Sequence, residues 1–247
     1  MKISMITITY NSEKTLEETI KSVLGQDVED LEYIIVDGKS TDRTLEIVER
    51  YRDDRFKVIS EPDEGISDAF NKGLKMATGE IVGIINSDDL LADGALAKVL
   101  NCFEEHPQAQ VVYGKGKRLY ADGHTRDYLP LDLKKFAYKM PLVHPSVFVR
   151  KQAYDTYGGF NTAYRYCMDR AVLFTMYRGG ADFVYLDEFL SFYRMGGVSH
   201  KQYLKGTLKE GEKISVAFGM NPVWARIVTW YKGARYLAIM LIRKVKK

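Results

Sequence analysis

Glu80-Ile81-Val82-Gly83-Ile84-Ile85-Asn86-Ser87-Asp88-Asp89 is the most strand-like run of the chain, and it ends in two adjacent acids. A short, continuously apolar run suits a strand buried on both faces of a sheet. Ile3 to Tyr10, Tyr33-Ile34-Ile35-Val36-Asp37 and Phe56 to Ser60 read as further strands. Helical patterns lie between them: Glu13 to Leu24 with Asn11 or Ser12 as cap, a second through Thr44, Leu45, Ile47, Val48 and Tyr51, and a third from Ile66 to Ala77. Strands alternating with helices of this length imply right-handed βαβ units, hence an α/β fold with a mostly parallel sheet flanked by helices. Ligands of such sheets sit beyond the carboxyl ends of the strands. Tyr10-Asn11, Asp37-Gly38 and Asn86 to Asp89 all fall there.

The second half is less regular. Val111 to Tyr120 suggests a strand or hairpin, Leu133 to Lys139 a short helix, Ser146-Val147-Phe148-Val149 a strand, and Asp169 to Tyr177 a helix beyond a Gly158-Gly159 turn. No internal repeat or low-complexity linker interrupts it. Residues 1–95 and 96–205 are therefore expected to be the two halves of one Rossmann-like domain, with 206–247 an appended helical segment. A chain of 247 residues, 46% apolar, can bury one full core. Its 36 basic and 33 acidic residues leave a net charge of +3, which does not suggest a nucleic-acid partner. Cys102 and Cys167 have neither disulfide-framework nor zinc-site spacing, which fits a reducing cytoplasm. The stretch from Lys2 to Tyr10 is too polar and too short for a signal-peptide core, so a cytoplasmic location is expected.

Asp88 and Asp89 follow their strand directly, and adjacent acids repel unless a cation intervenes. Carboxylates holding Mg²⁺ or Mn²⁺ neutralise a nucleotide diphosphate well. The alternative is a cap on a helix starting near Ala92. Asp37 could accept from a nucleobase or ribose edge, or belong to an ordinary Asp-Gly turn.

Thr7-Ile8-Thr9-Tyr10-Asn11, Ile35 to Thr44, Gly65 to Gly73 with Ala77-Thr78-Gly79-Glu80, and Asn86 to Asp89 follow one another in order. Together they resemble the ordered motifs of family 2 glycosyltransferases, densely over residues 1–95 and more loosely to about residue 200. The resemblance implies a GT-A fold and an inverting transfer of a single sugar from a nucleoside-diphosphate sugar, a UDP-sugar first, with Mn²⁺ or Mg²⁺. It implies that Thr9 and Asn11 line the nucleotide pocket, that Asp37 meets the base, and that Asp68, Asn71 and Lys72 flank base and diphosphate. Asp88 and Asp89 take the ribose and metal roles. Asn86 stands where many relatives carry the first acid of a D-x-D triplet, so a further metal ligand is expected, and His200 is the candidate.

Inversion by direct displacement needs a general base on the acceptor hydroxyl. Relatives place it in an acidic pair after a Gly-rich turn, which here selects Asp169, with Met168 in place of the usual Glu. His144 and Ser146 are candidates for acceptor or sugar hydroxyls. The acceptor is expected to be a glycan or lipid-linked saccharide of bacterial-type surface polysaccharide synthesis.

From Ala225 onward the chain carries seven cations and no acid, interleaved with apolar and aromatic residues. This reads as an interfacial helix on the inner leaflet of a membrane, or as a helix packed on the domain or on a second subunit to form a homodimer. A dinucleotide enzyme is disfavoured because Tyr10-Asn11-Ser12-Glu13 replaces the G-x-G-x-x-G turn. A processive synthase is disfavoured by the lack of Q-x-x-R-W and of flanking membrane spans. A non-catalytic nucleotide-sugar-binding or scaffold protein with a degenerate site is the rival that Asn86 and Met168 keep open.

Overall fold

The structure is a computed structural model, and it describes residues 1–196, 206 and 208–245. His200 lies outside the described residues. Strands β1 (Ile3–Thr9), β2 (Leu31–Asp37), β3 (Phe56–Ser60) and β4 (Ile81–Ile84) pair in parallel in the order β3-β2-β1-β4. Helices α1 (Leu16–Leu24), α2 (Thr44–Tyr51) and α3 (Ile66–Met76) make the crossovers. Side chains alternate across a strand, so each strand feeds two cores. Ile6, Ile34, Val36, Val82 and Ile84 enter one apolar layer, beneath α3. Ile3, Met5, Tyr33, Ile35 and Ile81 enter the other, beneath α1 and α2. Burial on both faces is why these strands read as continuous apolar runs.

The second half extends the same sheet. Strand β8 (Val147–Arg150) adds antiparallel to β4, then come β6 (Val111–Leu119), β9 (Phe183–Arg194) and the two-residue β5 (Leu90–Leu91), while β7 (Thr125–Tyr128) forms a hairpin with β6. Helices α4 (Ala95–Glu105), α5 (Lys151–Tyr157) and α6 (Met168–Arg178) cover it. The expected α/β architecture, a sheet with a parallel half flanked by helices, is the one observed. One helix start moves and one strand is new to the reading. Helix α1 begins at Leu16 because residues 12–15 form a turn, in which the Ser12 carbonyl accepts from both Thr15 and Leu16 N–H groups. The twelve-residue β9 was not anticipated at all.

Helices α7 (Leu208–Ala217) and α8 (Pro222–Val245) end the described chain. The expected boundary at 205/206 does not coincide with a packing boundary. Ile214 of α7 is fully enclosed in the core cluster of α6, and the buried guanidinium of Arg170 donates to the carbonyls of Phe136 and Gly211 and to Ser215 Oγ. Among the described residues, no helix is long and apolar enough to cross a membrane.

One polar cluster clamps the parallel strands away from their ligand ends. Glu32, 3% exposed, accepts from Ser4 Oγ at 2.5 Å, Thr78 N at 2.9 Å, Thr78 Oγ1 at 2.8 Å and Lys57 Nζ at 2.6 Å. Burial alone would raise this carboxyl, yet Lys57, Ser4 and Thr78 outweigh it and hold it down at about 2, against an ordinary 4.5. The stabilisation is therefore complete above the unfolded value and is lost as pH falls from 4.5 through about 2. Its upper bound is about 3 kcal/mol. Glu32→Gln is expected to lose about 2–3 kcal/mol in urea unfolding at pH 7, with the gap to the parent chain closing as pH is lowered across that window. A gap that does not change with pH would refute the charge-based account.

Candidate active site

Three loops meet at the carboxyl ends of β2, β1 and β4. Thr9 and Asp37 are partners in the parallel register, so their side chains stand side by side on one face. Asp37 is fully buried, and its carboxylate accepts from Ser40 N at 2.9 Å, Ser40 Oγ at 2.5 Å and Ser60 Oγ at 2.6 Å. Beside it, Thr9 Oγ1 is the one buried side-chain polar atom without a hydrogen-bond partner among the described residues. Buried hydroxyls are normally satisfied, which sets this one apart.

The neighbouring backbone is arranged around Thr9 and Asp37. Asn11 and Lys39 both adopt left-handed φ, 49° and 63°. Asn11 tolerates this conformation well, and its Oδ1 accepts from Thr41 N at 2.9 Å while its own N–H donates to Ser40 Oγ at 2.8 Å. Asn11 thus ties the loop after β1 to the loop after β2. Tyr10, 63% exposed, lies over Gly38 together with Asp63; a Cβ at Gly38 would stand 2.6 Å from Asp63 Oδ2 and 3.4 Å from the Tyr10 ring. Lys72 Nζ reaches the Pro62 carbonyl (2.8 Å), Glu61 (2.9 Å) and Asp68 (3.1 Å), and Asp68 accepts from Glu64 N, so this pair braces the loop beyond β3.

The acidic turn lies next to these loops, Ser87 Oγ being 2.9 Å from Ser12 Oγ. Its two acids differ. Asp89 is 1% exposed; one oxygen accepts from Asn86 Nδ2 at 3.0 Å and the other from Arg194 N at 2.9 Å. Burial first, then the charge of Asp88, raises its carboxyl. Asp88 is half-buried, and burial raises its carboxyl too, with Arg194 acting the other way. Among the described residues no side chain donates to it. The Arg194 guanidinium instead holds the Asp88 carbonyl at 2.9 Å and Glu18 at 2.5 Å.

Asp169 stands in the first turn of α6, half-buried, with Oδ1 accepting from Arg170 N at 2.7 Å. The turn before it is capped from outside the helix: Glu210 of α7 accepts from Arg165, Tyr166 and Cys167 N–H groups at 2.7–3.0 Å. Tyr193, near the end of β9, lies within the field of both Asp169 and the acidic turn. Burial first, then the charges of Asp89, Tyr128, Asp88 and Asp169, raises its phenol. His144 lies close to Asp169 as well; burial lowers its imidazole while the Asp169 charge opposes this.

The family profile of glycosyl transferase family 2 matches residues 4–165. The chain belongs to glycosyl transferase family 2. Among relatives, it is 31% identical over 170 residues to the PGL/p-HBAD biosynthesis glycosyltransferase of Mycobacterium bovis, covering 67% of this chain and 66% of that protein. To the Bacillus subtilis protein named putative glycosyltransferase EpsE it is 33% identical over 172 residues, covering 66% and 62%. The matches thus span just under two thirds of these relatives. Of solved structures, S. aureus TarS 1-349 in complex with UDP superposes with a TM-score of 0.69 at 24% identity, covering 93% of this chain and 70% of that one. The mannosyltransferase PcManGT from Pyrobaculum calidifontis, in complex with GDP-Man and Mn²⁺, gives 0.67 at 19%, covering 99% and 80%.

In this family 2 chain three expected site residues have other work. Asn71 donates Nδ2 to the Phe160 carbonyl at 2.7 Å and accepts from Phe160 N at 2.9 Å, so both edges of its amide pin the Gly158-Gly159 turn. Ser146 is fully buried, its hydroxyl donating to the Lys115 carbonyl and 2.6 Å from Ser191 Oγ. Asp89, 1% exposed and with both oxygens engaged by Asn86 Nδ2 and Arg194 N, braces the turn in this structure. Among the described residues no cluster of three His, Cys, Asp or Glu side chains could hold a metal ion. Asp88 is the acid of this turn whose carboxylate accepts from no described side chain, and a single carboxylate of that kind is compatible with a hard divalent cation. Sequence reasoning missed Arg194, Tyr193 and Glu210. None carries a local signal, since each acts on a residue far away in the chain.

Proposed function

We propose that this chain is an inverting glycosyltransferase that moves a single sugar from a nucleoside-diphosphate sugar, a UDP-sugar first, to a glycan or lipid-linked saccharide of bacterial-type surface polysaccharides. The observation that carries this reading is the orphaned Thr9 hydroxyl beside buried Asp37, next to the open carboxylate of Asp88. Thr9 and Asp37 would floor the nucleobase site from beneath, with Asn11, Asp68 and Lys72 bracing the rim and the exposed Tyr10 ring free to stack on the base. Fold neighbours crystallised with UDP-GlcNAc and with GDP-Man and Mn²⁺ support the donor class.

Asp88 would hold Mn²⁺ or Mg²⁺, which when bound neutralises charge on the diphosphate. Asp169 takes the proton of the acceptor hydroxyl as its oxygen bonds to the anomeric carbon; the bond to the nucleoside diphosphate breaks on the opposite side and configuration inverts. His144, whose imidazole burial lowers against the Asp169 charge, would orient a sugar hydroxyl. The degenerate-site reading loses its two supports. Asn86 is the donor that holds Asp89, and Met168 faces the apolar core, where a carboxylate would be buried unpaired.

Binding of UDP-, GDP- and dTDP-sugars with Mn²⁺ or Mg²⁺ by calorimetry, followed by turnover with lipid-linked saccharides, tests the proposal. No binding and no turnover with any donor would end it. Thr9→Val should separate ligand from fold: it removes an unpaired buried hydroxyl, so the free protein is expected to gain up to about 1 kcal/mol while donor affinity falls about tenfold. Tyr10→Ala should also weaken the donor about tenfold, with unchanged stability, through lost stacking.

A further inference from the structure

Helix α8 is mounted with its apolar side outward. Ala225 is buried, Lys232 donates to the Tyr138 carbonyl, and a Cβ at Gly233 would stand 3.4 Å from Leu208, which fixes the inward face. On the opposite face Val223, Ile227, Trp230, Ala234, Leu237 and Leu241 form an exposed stripe, with Trp224 and Tyr231 alongside. From 223 to 241 the stripe runs roughly 27 Å along the helix. Trp230, at 75% exposure, and Trp224, at 61%, are large apolar surfaces that a water-facing helix does not ordinarily carry.

Charge says what covers this face. Residues 222–245 include five cations and no acid. By helical geometry Arg226 flanks the stripe on one side and Arg235 on the other. Arg226 lies 3.6 Å from Glu212, while Arg235 has no ion-pair partner among the described residues. Beneath α8, Lys135 and Lys139 of the Leu133–Ala137 turn region crowd against Lys232 and Arg235. Burial, then Arg170 and Lys139, brings the Lys232 amine down to about 8, and burial, then Lys135 and Arg235, lowers Lys139. Tyr138 is exposed at the same junction, and so are Leu129 and Leu131 in the segment leading to it. The 4-3-4-3 spacing of the stripe also suits a coiled-coil seam. A second copy would, however, set cation against cation along both flanks and two tryptophans into the seam. An anionic lipid surface matches both features, with aromatic rings at headgroup level and cations reaching the phosphates.

We propose that the outward face of α8, flanked by Arg226 and Arg235, docks this protein on an anionic lipid bilayer. The inference is independent of the donor reading, because its test needs no sugar. Trp224 and Trp230 are the only tryptophans of the chain, so intrinsic fluorescence reports on this helix alone. Titrating the full chain with phosphatidylcholine vesicles containing phosphatidylglycerol is expected to shift the emission to the blue and carry the protein down on sedimentation. Pure phosphatidylcholine or added salt should weaken both. Arg226→Gln with Arg235→Gln should lower vesicle affinity about thirtyfold, and Trp230→Glu should abolish the shift, both with an unchanged circular dichroism spectrum. Absence of shift and sedimentation with anionic vesicles overturns the proposal. So does a dimer in sedimentation velocity that Trp230→Glu dissolves, which would make a second copy the occupant.

Discussion

Asp169→Asn is expected to lower kcat by about 10³-fold while the donor Kd changes less than about threefold. The amide keeps the shape of the carboxylate and can still accept from Arg170 N, which holds the side chain at 2.7 Å in the first turn of α6. It cannot take a proton from the acceptor hydroxyl. Folding should be little affected, because the acceptor oxygen is kept and the turn before the helix is held by Glu210. The two effects are separable by measuring donor binding in calorimetry and sugar transfer in steady state. Full activity in this variant would move the base elsewhere, and His144 is the neighbouring group with a free protonation site. A loss of donor binding together with kcat would instead show that Asp169 serves the donor.

The parallel half of the fold was legible because its physics is local. Strands β1, β2 and β4 are buried on both faces and therefore announce themselves as apolar runs, and their carboxyl ends fall at Tyr10, Asp37 and the Asn86 to Asp89 turn. Strand β9 was not legible. Its middle carries Asp187-Glu188, and its pairing with β6 shifts register around Lys115, so no clean period survives in the sequence. Arg194 at its end closes the acidic turn from 105 residues away. Polar residues were the main source of misreading. Asn71 and Ser146 look like ligand groups in a string of letters, yet each has its hydrogen bonds taken by a distant backbone or hydroxyl. Thr9 shows the reverse, since only the folded chain reveals that its hydroxyl has no partner. Asn86 was read as a missing carboxylate. Its amide is what lets Asp89 stay buried against Asp88.

That division of labour between the two acids gives the sharpest test of the metal reading. Asp88→Asn is expected to weaken Mn²⁺- or Mg²⁺-dependent donor binding by at least about 100-fold, the upper end of what loss of an indirect metal contact costs. Stability should hold or rise slightly, because the change removes a half-buried charge that no described side chain pairs with. Asp89→Ala should behave in the opposite way. It strands Asn86 Nδ2 and Arg194 N without an acceptor, at a cost of about 1–3 kcal/mol. The loosened turn and the freed end of β9 would slow turnover, but residual activity should keep its dependence on metal concentration, because Asp88 is untouched. Thermal unfolding and metal titration of donor binding, run on both variants, read these outcomes directly. If Asp89→Ala erases the metal dependence while Asp88→Asn retains it, the assignment of the open carboxylate to the cation is wrong, and Asp89 must leave its two donors to reach the ion.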